Sequence, residues 1–442
     1  MTDPLSDPAS GPVSSIARGA LVNLITRSSA VGLGLGITLV TARMGAERQG
    51  VFALFTAVES VLLAVCSGFG IAMARRISHH GQAPGGLVSA TVLVCGALGV
   101  GLGVVVLAVS QVAGGAYAML WLLACALPLT LLTPNLTGLW LGQGRMGPIG
   151  WVTVGTPLLT LLFLAAALLA GAPLSLLAVL AAWVAAKLAV SLLSLRAAAR
   201  QAWGAPDWPA LKGDAGFIAT IALTNLIGLM NYKVDLFLVE HFLGLGPTGV
   251  YSIAVMVAEL LWFLSASLSQ AAFARVGTPD RAQAGATVVR VLHLSLLALV
   301  VCAPVLYGLA AWLLPALLGA AYEQALPVLA LLLPGVLAFG AASALSAYFT
   351  NHAGRPLVPA AMAGLSLLIN VALSVVLIPR LGMAGGAVAT SVSYIVTIVW
   401  MLALFRAHAG LSWPTVLRPD GAQLGRDLMA LRRVFVTSGA RP

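Results

Sequence analysis

Three carboxylates lie inside long apolar stretches of the chain: Glu59, Asp235 and Glu259. An ionised carboxylate in apolar surroundings is costly unless a cation pairs with it or a proton neutralises it. A side chain of this kind can bind and release H+ or Na+, and we predict an ion-coupling role for all three. A permanent ion pair that only stabilises the fold is the alternative interpretation for Glu59 and Glu259.

Cationic and amide side chains also lie inside the apolar stretches. Such side chains suit an anionic ligand that carries hydroxyl groups. The predicted binding residues are Asn23, Arg27, Asn231, Lys233 and Asn370. Asn23 and Arg27 share one stripe of small and polar residues at helical spacing, while Asn231 and Asn370 lie on two further stripes. Two alternatives stay open: the amides could be interhelical hydrogen-bonding groups, and Arg27 could snorkel to the membrane surface.

The sequence lacks the motifs of catalysis, nucleotide binding and metal binding. It contains no HExxH, no GxSxG, no Walker-type loop and no aspartate-rich cluster, so we predict neither an enzyme nor an ATPase. The four cysteines lie in apolar runs without a CxxC pair or a neighbouring histidine, which predicts packing roles. We therefore expect no cofactor and no metal site.

The segments that carry these residues have the composition of membrane spans. Of the 442 residues, 60% are hydrophobic and only 8% are charged, against about 25% charged in an ordinary soluble domain. Crossing a hydrocarbon core about 30 Å thick takes about 20 apolar residues in a helix. Twelve segments meet this requirement: 19–42, 49–74, 87–110, 117–141, 148–170, 174–195, 215–241, 247–273, 287–314, 325–350, 356–378 and 384–405.

The positions of the basic residues predict the orientation. With a cytoplasmic N-terminus, only Arg43, Arg48 and Arg380 fall in outer loops, whereas most of the 23 Lys and Arg residues fall on the cytoplasmic side. This positive-inside pattern indicates a multi-pass protein of the cytoplasmic (inner) membrane with both termini cytoplasmic. The net charge of +10 follows from this orientation, so no nucleic-acid partner is expected.

A repeated pattern divides the chain into two halves. Three glycine pairs relate them: Gly45 with Gly244, Gly50 with Gly249, and Gly144 with Gly354. Phe52 in the first half matches Tyr251 in the second. Six spans separate equivalent points, so both halves have the same orientation about an axis along the membrane normal.

The predicted fold is therefore an all-α polytopic membrane protein. It has twelve transmembrane helices in two six-helix lobes that are related by a pseudo-two-fold axis along the membrane normal. The predicted segments are a disordered cytoplasmic tail (1–18), an N-terminal lobe (19–200), a cytoplasmic linker (201–214), a C-terminal lobe (215–408) and a basic cytoplasmic tail (409–442).

Three blocks of sequence resemble a known transporter family. They are TARMGAERQGVFAL, KVDLFLVEHFLGLGPTGVYSIAVMVAE and AGRPLVPAAMAGLSLLINVALSVVLIPRLGMAGGAVATSVSYIV, and the most specific part runs from Asn370 to Thr390. The blocks are similar to the polysaccharide-exporter branch of the multidrug/oligosaccharidyl-lipid/polysaccharide (MOP) superfamily, whose best-known members are the O-antigen (Wzx-type) flippases. The resemblance covers nearly the whole chain.

The resemblance implies a two-lobed exporter that moves a polyprenyl-diphosphate-linked oligosaccharide from the cytoplasmic to the outer leaflet, and we expect it to work by alternating access. Because the sequence has no nucleotide-binding motif, the energy would come from an H+ or Na+ gradient or from consumption of the product outside. Arg27 and Lys233 would then bind the diphosphate. The implied partners are the lipid-linked oligosaccharide, membrane lipid and the glycan-polymerisation machinery. Two alternatives stay open: a cation-coupled drug or small-metabolite antiporter of the same superfamily, and a non-transporting membrane scaffold for glycan synthesis.

Overall fold

Helices make up most of the chain. The computed structural model describes residues 12–263, 265, 280–340, 342–355 and 357–419, and for residues 12–24, 80 and 351 it describes the backbone alone. The helices are α1 (Pro12–Arg43), α2 (Ala46–Cys66), α3 (Gly68–His80), α4 (Pro84–Ala113), α5 (Leu120–Thr130), α6 (Leu132–Gly142), α7 (Met146–Leu169), α8 (Leu176–Gln201), α9 (Trp208–Gly213), α10 (Ala215–Leu243), α11 (Leu245–Glu259), α12 (Arg281–Leu318), α13 (Ala325–Phe339), α14 (Ala342–Ala347), α15 (Leu357–Leu381), α16 (Met383–Ala409) and α17 (Trp413–Leu417).

Eleven segments within the described residues are long and apolar enough to cross a membrane, which confirms a multi-pass membrane protein. They coincide with eleven of the twelve predicted spans. The remaining predicted span, 247–273, begins as α11 and then runs into residues 264 and 266–279, which lie outside the described residues. Two of the eleven segments are interrupted: α5 and α6 together form one, and α13, α14 and a π-helical turn at Tyr348–His352 form another. The predicted span 49–74 is also divided, because α2 ends at Cys66 and α3 begins at Gly68.

The helical part of the chain begins earlier than predicted. Helix α1 starts at Pro12, so residues 12–18 are helical rather than part of a disordered tail, and residues 1–11 lie outside the described residues. Proline suits the first turn of a helix, because its missing N–H has no intrahelical partner there. At the other end, the side chain of Ser412 caps the short helix α17, and residues 420–442 are outside the described residues.

The chain divides into two compact units. The first runs to Met230 and also contains Leu245–Gly249, and the second comprises Asn231–Gly244 and the chain from Val250 onward. The boundary falls inside α10, so this helix contributes to both units, whereas the prediction places the boundary in the loop at 201–214. Each unit has its own buried apolar core.

The loop predicted as a linker, 201–214, is folded against the first unit. Asp207 caps α9, accepting a hydrogen bond of 3.0 Å from the backbone N–H of Ala210. Arg76 at the end of α3 pairs with Asp214 and donates a 2.9 Å hydrogen bond to the carbonyl of Ala210. The hydrogen bond to Asp214 raises the pKa of the Arg76 guanidinium, so this arginine stays charged at physiological pH.

The repeated glycines adopt matching backbone conformations. Gly45 and Gly244, which precede α2 and α11, have φ angles of 113° and 85°, and Gly144 and Gly354 have φ angles of 70° and 62°. These positive values favour glycine over any residue with a Cβ atom. The sequence repeat therefore corresponds to a repeat of local structure.

Gly50 and Gly249 make a close helix crossing within the first unit. A Cβ atom on Gly50 would overlap the carbonyl oxygen of Leu245, and a Cβ atom on Gly249 would overlap that of Ala46. The two glycines are equivalent positions of the repeat, so α2 and the first turn of α11 cross at matching points. Only glycine allows the two backbones to approach this closely.

Candidate functional site

Asp235 on α10 is the centre of a buried polar cluster in the second unit. Its side chain is 3% exposed. The hydroxyl of Tyr251 donates a 2.7 Å hydrogen bond to Oδ2, and the backbone N–H of Leu236 donates a 2.9 Å bond to Oδ1. Thr390 on α16 donates a longer bond of 3.3 Å to Oδ2. The carboxylate is thus held by groups from three helices.

The cluster continues from Thr390 onto α15. Asn370 donates a 3.2 Å hydrogen bond from Nδ2 to the hydroxyl of Thr390, and its Oδ1 accepts a 2.9 Å bond from Ser374. Asn370, Ser374 and Thr390 are all buried. The structure therefore brings two predicted site residues, Asp235 and Asn370, into one hydrogen-bonded network.

Asn231 lies one helical turn before Asp235 and is 1% exposed. Neither its Oδ1 nor its Nδ2 atom has a hydrogen-bond partner, although its backbone carbonyl accepts a 3.3 Å bond from Tyr394. Ser366, one turn before Asn370 on α15, also has an unpartnered buried hydroxyl. Buried polar atoms without partners are rare in folded proteins and often mark the place of a water or an ion.

The cluster has the chemistry of a site for a hard cation or a proton. It combines one carboxylate with hydroxyl and amide oxygens, which are ligands that hard cations prefer. Among the described residues, no basic side chain forms an ion pair with Asp235; Lys233, two residues away, pairs with Glu259 instead. A buried carboxylate in this situation requires a bound cation or a proton for charge balance.

The Lys233–Glu259 pair in the second unit is less buried. The ammonium of Lys233 lies 3.6 Å from Oε1 of Glu259, and the two side chains are 30% and 29% exposed. Each side chain therefore keeps part of its surface outside the protein interior. The substrate-binding role of Lys233 and the ion-coupling role of Glu259 stay predictions.

Glu59 occupies a different environment in the first unit. Its carboxylate is 2% exposed, lies 2.8 Å from the ammonium of Lys187 and accepts a 2.9 Å hydrogen bond from the indole of Trp183. The ammonium also lies 5.1 Å from the ring centroid of Trp183. This geometry favours the ion-pair alternative for Glu59 over ion coupling, because both carboxylate oxygens have fixed partners.

We expect Glu59→Gln to destabilise the protein, because the substitution leaves the ammonium of Lys187 without its counter-charge. Removing one partner of a buried ion pair costs about 3–5 kcal/mol. Thermal unfolding of purified protein would show a lower Tm for Glu59→Gln, and the double variant Glu59→Gln/Lys187→Met would recover at least half of the loss. A single variant with unchanged Tm and altered pH or Na+ dependence of transport would instead assign Glu59 to coupling.

Arg27 lies on the exposed part of α1 in the first unit. The stripe of small and polar residues that holds Arg27 continues at helical spacing through Gly34 to Thr41. Gly34 has open space where a Cβ atom would stand, whereas Thr41 is fully buried. The stripe thus runs from an exposed face into the core. The backbone of Asn23 lies on the same helix, and its side chain is outside the described part of the structure.

Tyr251 and Thr390 belong to the cluster but are absent from the predicted set. The sequence repeat could have identified Tyr251 as a site residue. Its equivalent in the first half is Phe52, and the two side chains differ by one hydroxyl group. That hydroxyl is the group that binds Asp235. Phe52 instead packs edge-on against Trp183, with the ring centroids 5.8 Å apart.

Comparisons with known proteins identify the fold. No family model and no curated protein sequence matches the chain. A multidrug resistance MATE family transporter of the MOP superfamily, solved in an inward-facing conformation, matches with a TM-score of 0.74 and 13% identity, covering 88% of this chain and 98% of the other. The chain has the MATE-like transporter fold.

Two further solved structures with this fold extend the comparison. An outward-facing MATE family transporter matches with a TM-score of 0.65 and 16% identity over 91% of this chain and 98% of the other. A MOP superfamily transporter from Pyrococcus furiosus matches with a TM-score of 0.63 and 13% identity over 91% and 96%. The MATE-like fold thus spans nearly the whole chain, as the resemblance to the MOP superfamily implies, while identities this low leave the substrate open.

Proposed function

We propose that this chain is a flippase of the cytoplasmic (inner) membrane that translocates a polyprenyl-diphosphate-linked oligosaccharide by alternating access. Transporters with this fold occur in inward-facing and outward-facing conformations, which supports alternating access as the mechanism. The substrate class rests on the three sequence blocks that resemble the polysaccharide-exporter branch. The glycan-polymerisation machinery is the expected partner outside the membrane, and both termini are expected in the cytoplasm.

One observation carries this proposal furthest. The most specific block of the resemblance, Asn370 to Thr390, supplies both its first and its last residue to the cluster around Asp235. The side chains that resemble the exporter branch therefore contribute to the polar site that the second unit buries. We assign Asp235, with Asn370 and Thr390, to the binding of H+ or Na+, and so to ion coupling.

The proposal is tested in cells from which the gene is deleted. We expect loss of surface glycan together with accumulation of the lipid-linked oligosaccharide in the inner leaflet, because its synthesis continues while its export stops. A plasmid that carries the parent chain restores both measurements. Normal surface glycan without accumulation would contradict the proposal.

A cation-coupled drug or small-metabolite antiporter is the second candidate. The observation that favours it is that two of the matched structures are described as multidrug resistance transporters. The two candidates differ in a measurable way. An antiporter would lower cellular accumulation of cationic drugs and leave the surface glycan unchanged, whereas a flippase would do the reverse.

Arg27 gives a prediction about the substrate. If its guanidinium binds the diphosphate, Arg27→Lys keeps the charge, loses the bidentate fork and retains part of the export activity. Arg27→Ala should lose nearly all of it at equal membrane abundance. The measurement is surface glycan normalised to protein abundance, with Arg196→Ala, which removes an exposed arginine of α8, as the control. Full activity of Arg27→Ala would remove Arg27 from the substrate site.

A further inference from the structure

The two short helices α9 and α17 match each other in sequence and in structure. Each follows the last span of its half of the chain, α8 in one case and α16 in the other. Each begins with a Trp-Pro pair, Trp208-Pro209 in α9 and Trp413-Pro414 in α17. In both helices the proline lies in the first turn, where its missing N–H costs no hydrogen bond. The repeat of the chain therefore includes a short helix after the last span of each half.

The same kind of side-chain cap starts both helices. Asp207 accepts a 3.0 Å hydrogen bond from the backbone N–H of Ala210, and Ser412 accepts a 3.3 Å bond from the backbone N–H of Thr415. Each capping residue stands directly before the tryptophan, and each donor stands two residues after it. The two tryptophans thus occupy the same position of the same local structure.

Each helix is fixed to the core of its own unit. Ala210 of α9 and Val416 of α17 are 7% and 3% exposed. Arg76 donates a 2.9 Å hydrogen bond to the carbonyl of Ala210, and Nε2 of His293 on α12 lies 2.8 Å from the carbonyl oxygen of Val416. A helix this short is not stable by itself, so these contacts determine its position and that of its tryptophan.

Both tryptophan rings remain exposed, and a cation accompanies each. Trp208 and Trp413 are 42% and 38% exposed. Lys212, also exposed, follows Trp208 by four residues, a spacing that places the two on one face of α9. In the second unit, Cζ of Arg406 lies 5.0 Å from the ring centroid of Trp413. Each unit therefore presents one indole together with one positive charge.

The carboxylates beside α9 have partners inside the first unit. Asp207 accepts a 2.6 Å hydrogen bond from Nε2 of Gln82 in addition to capping the helix, and Asp214 pairs with Arg76. Among the described residues, neither Lys212 nor Arg406 forms an ion pair. Both cations can therefore attract an anion from outside the protein.

We propose that α9 and α17 bind the anionic phospholipid headgroups of the cytoplasmic leaflet, each with one indole and one cation. Tryptophan is enriched at membrane–water interfaces, because its ring is apolar and its N–H is a hydrogen-bond donor. Basic side chains near the cytoplasmic surface attract anionic lipids. Both helices follow an even-numbered predicted span, so the predicted topology places both on the cytoplasmic side. This lipid contact is independent of the transported substrate.

The first measurement locates the two rings. The full-length protein is placed in nanodiscs of phosphatidylglycerol and phosphatidylcholine, and the fluorescence of Trp208→Phe/Trp413→Phe is subtracted from that of the parent. We expect lipids brominated close to the headgroup to quench this difference at least about twice as strongly as iodide in the water, because the rings lie among the headgroups. Stronger quenching by iodide would overturn the proposal and would leave the rings open to a soluble protein partner.

The second measurement is binding of phosphatidylglycerol to the purified full-length chain by native mass spectrometry, with phosphatidylcholine as the reference without net charge. Lys212→Gln/Arg406→Gln should weaken phosphatidylglycerol binding about fivefold or more, because each of the two sites loses its cation. Lys212→Gln alone changes only an exposed group and should give a smaller loss in the same direction. Binding of phosphatidylcholine should change less than about twofold.

The matched control is Arg48→Gln/Arg380→Gln. It also removes one exposed arginine from each unit, but from loops predicted on the outer side. It should change phosphatidylglycerol binding less than about twofold. Equal weakening in the control, or equal binding of the two lipids by the parent, would overturn the proposal. Neither measurement involves transport, so such a result would leave the proposed function standing.

Discussion

Asp235→Asn is expected to abolish the coupling of transport to an ion gradient, while the protein still folds. The amide keeps the size of the side chain and one acceptor oxygen, which can serve either Tyr251 or Leu236, but it removes the negative charge that a cation or proton neutralises. A cation that binds the folded state at 100 times its Kd stabilises the protein by about 2.7 kcal/mol. That stabilisation should disappear in the variant.

Two measurements check this result. Thermal unfolding of purified protein in NaCl, in choline chloride and across pH shows which ion stabilises the parent, and Asp235→Asn should lose that dependence. Transport in proteoliposomes should then no longer respond to the corresponding gradient. Thr224→Ala is the control on the same helix, because the Thr224 hydroxyl bonds only to the carbonyl of Thr220 in its own helix. An Asp235→Asn variant that responds to Na+ and pH as the parent does would exclude Asp235 from coupling.

Tyr251→Phe refines this prediction. It restores the residue found at the equivalent position of the first half, Phe52, and removes one hydrogen bond from the carboxylate. We expect an intermediate effect, with weaker ion dependence rather than none, because Leu236 and Thr390 still hold Asp235. Loss as complete as in Asp235→Asn would show that Tyr251 is itself a ligand that the ion requires.

Gly50→Ala and Gly249→Ala are each expected to destabilise the first unit strongly. The added methyl group would overlap a backbone carbonyl oxygen, of Leu245 in one case and of Ala46 in the other, and backbone atoms cannot rotate away as a side chain can. Overpacking of this kind costs about 1–3 kcal/mol or more. Reduced membrane abundance and a lower Tm would be the observed effects.

Gly101→Ala provides the matched control for these two variants. Gly101 is exposed on α4, and a Cβ atom there would meet no heavy atom within 4 Å. Alanine at a helical position without such a clash is favourable by about 0.5–1 kcal/mol, so its Tm should equal or exceed that of the parent. If all three alanine variants unfold alike, the helix crossing at Gly50 and Gly249 does not require glycine.

Much of the fold could be predicted from the sequence, because the bilayer imposes length and composition on every span. The spans that the structure describes coincide with predicted ones, and the repeated glycines at Gly45, Gly144, Gly244 and Gly354 all have positive φ angles. The break at Leu131 could not be predicted in the same way. Helices α5 and α6 are both predominantly apolar, so hydropathy shows one continuous span. The break between the two helices lies three residues after Pro128 and depends on the local backbone geometry.

The candidate site was only partly predictable, because spacing along one helix does not show which helices meet. Asp235 and Asn370 stand out as polar residues in apolar segments, but their connection through Thr390 depends on the packing of α10, α15 and α16. The same limit applies to Glu59. Its sequence position calls for a counter-charge, yet only the packing of α2 against α8 shows that Lys187 supplies it. A lysine nine residues before Arg196 otherwise fits a side chain that snorkels to the cytoplasmic surface.

The most direct test of the proposed function is translocation of a fluorescent polyprenyl-diphosphate-linked oligosaccharide in proteoliposomes that contain only this chain. A quencher that cannot cross the bilayer reports the fraction of label in each leaflet. We predict that the parent equilibrates the label between leaflets faster than protein-free vesicles do, that the imposed H+ or Na+ gradient changes the rate, and that Asp235→Asn removes this change. No translocation of the labelled lipid by folded parent protein, together with gradient-driven uptake of a cationic drug by the same vesicles, would contradict the flippase assignment.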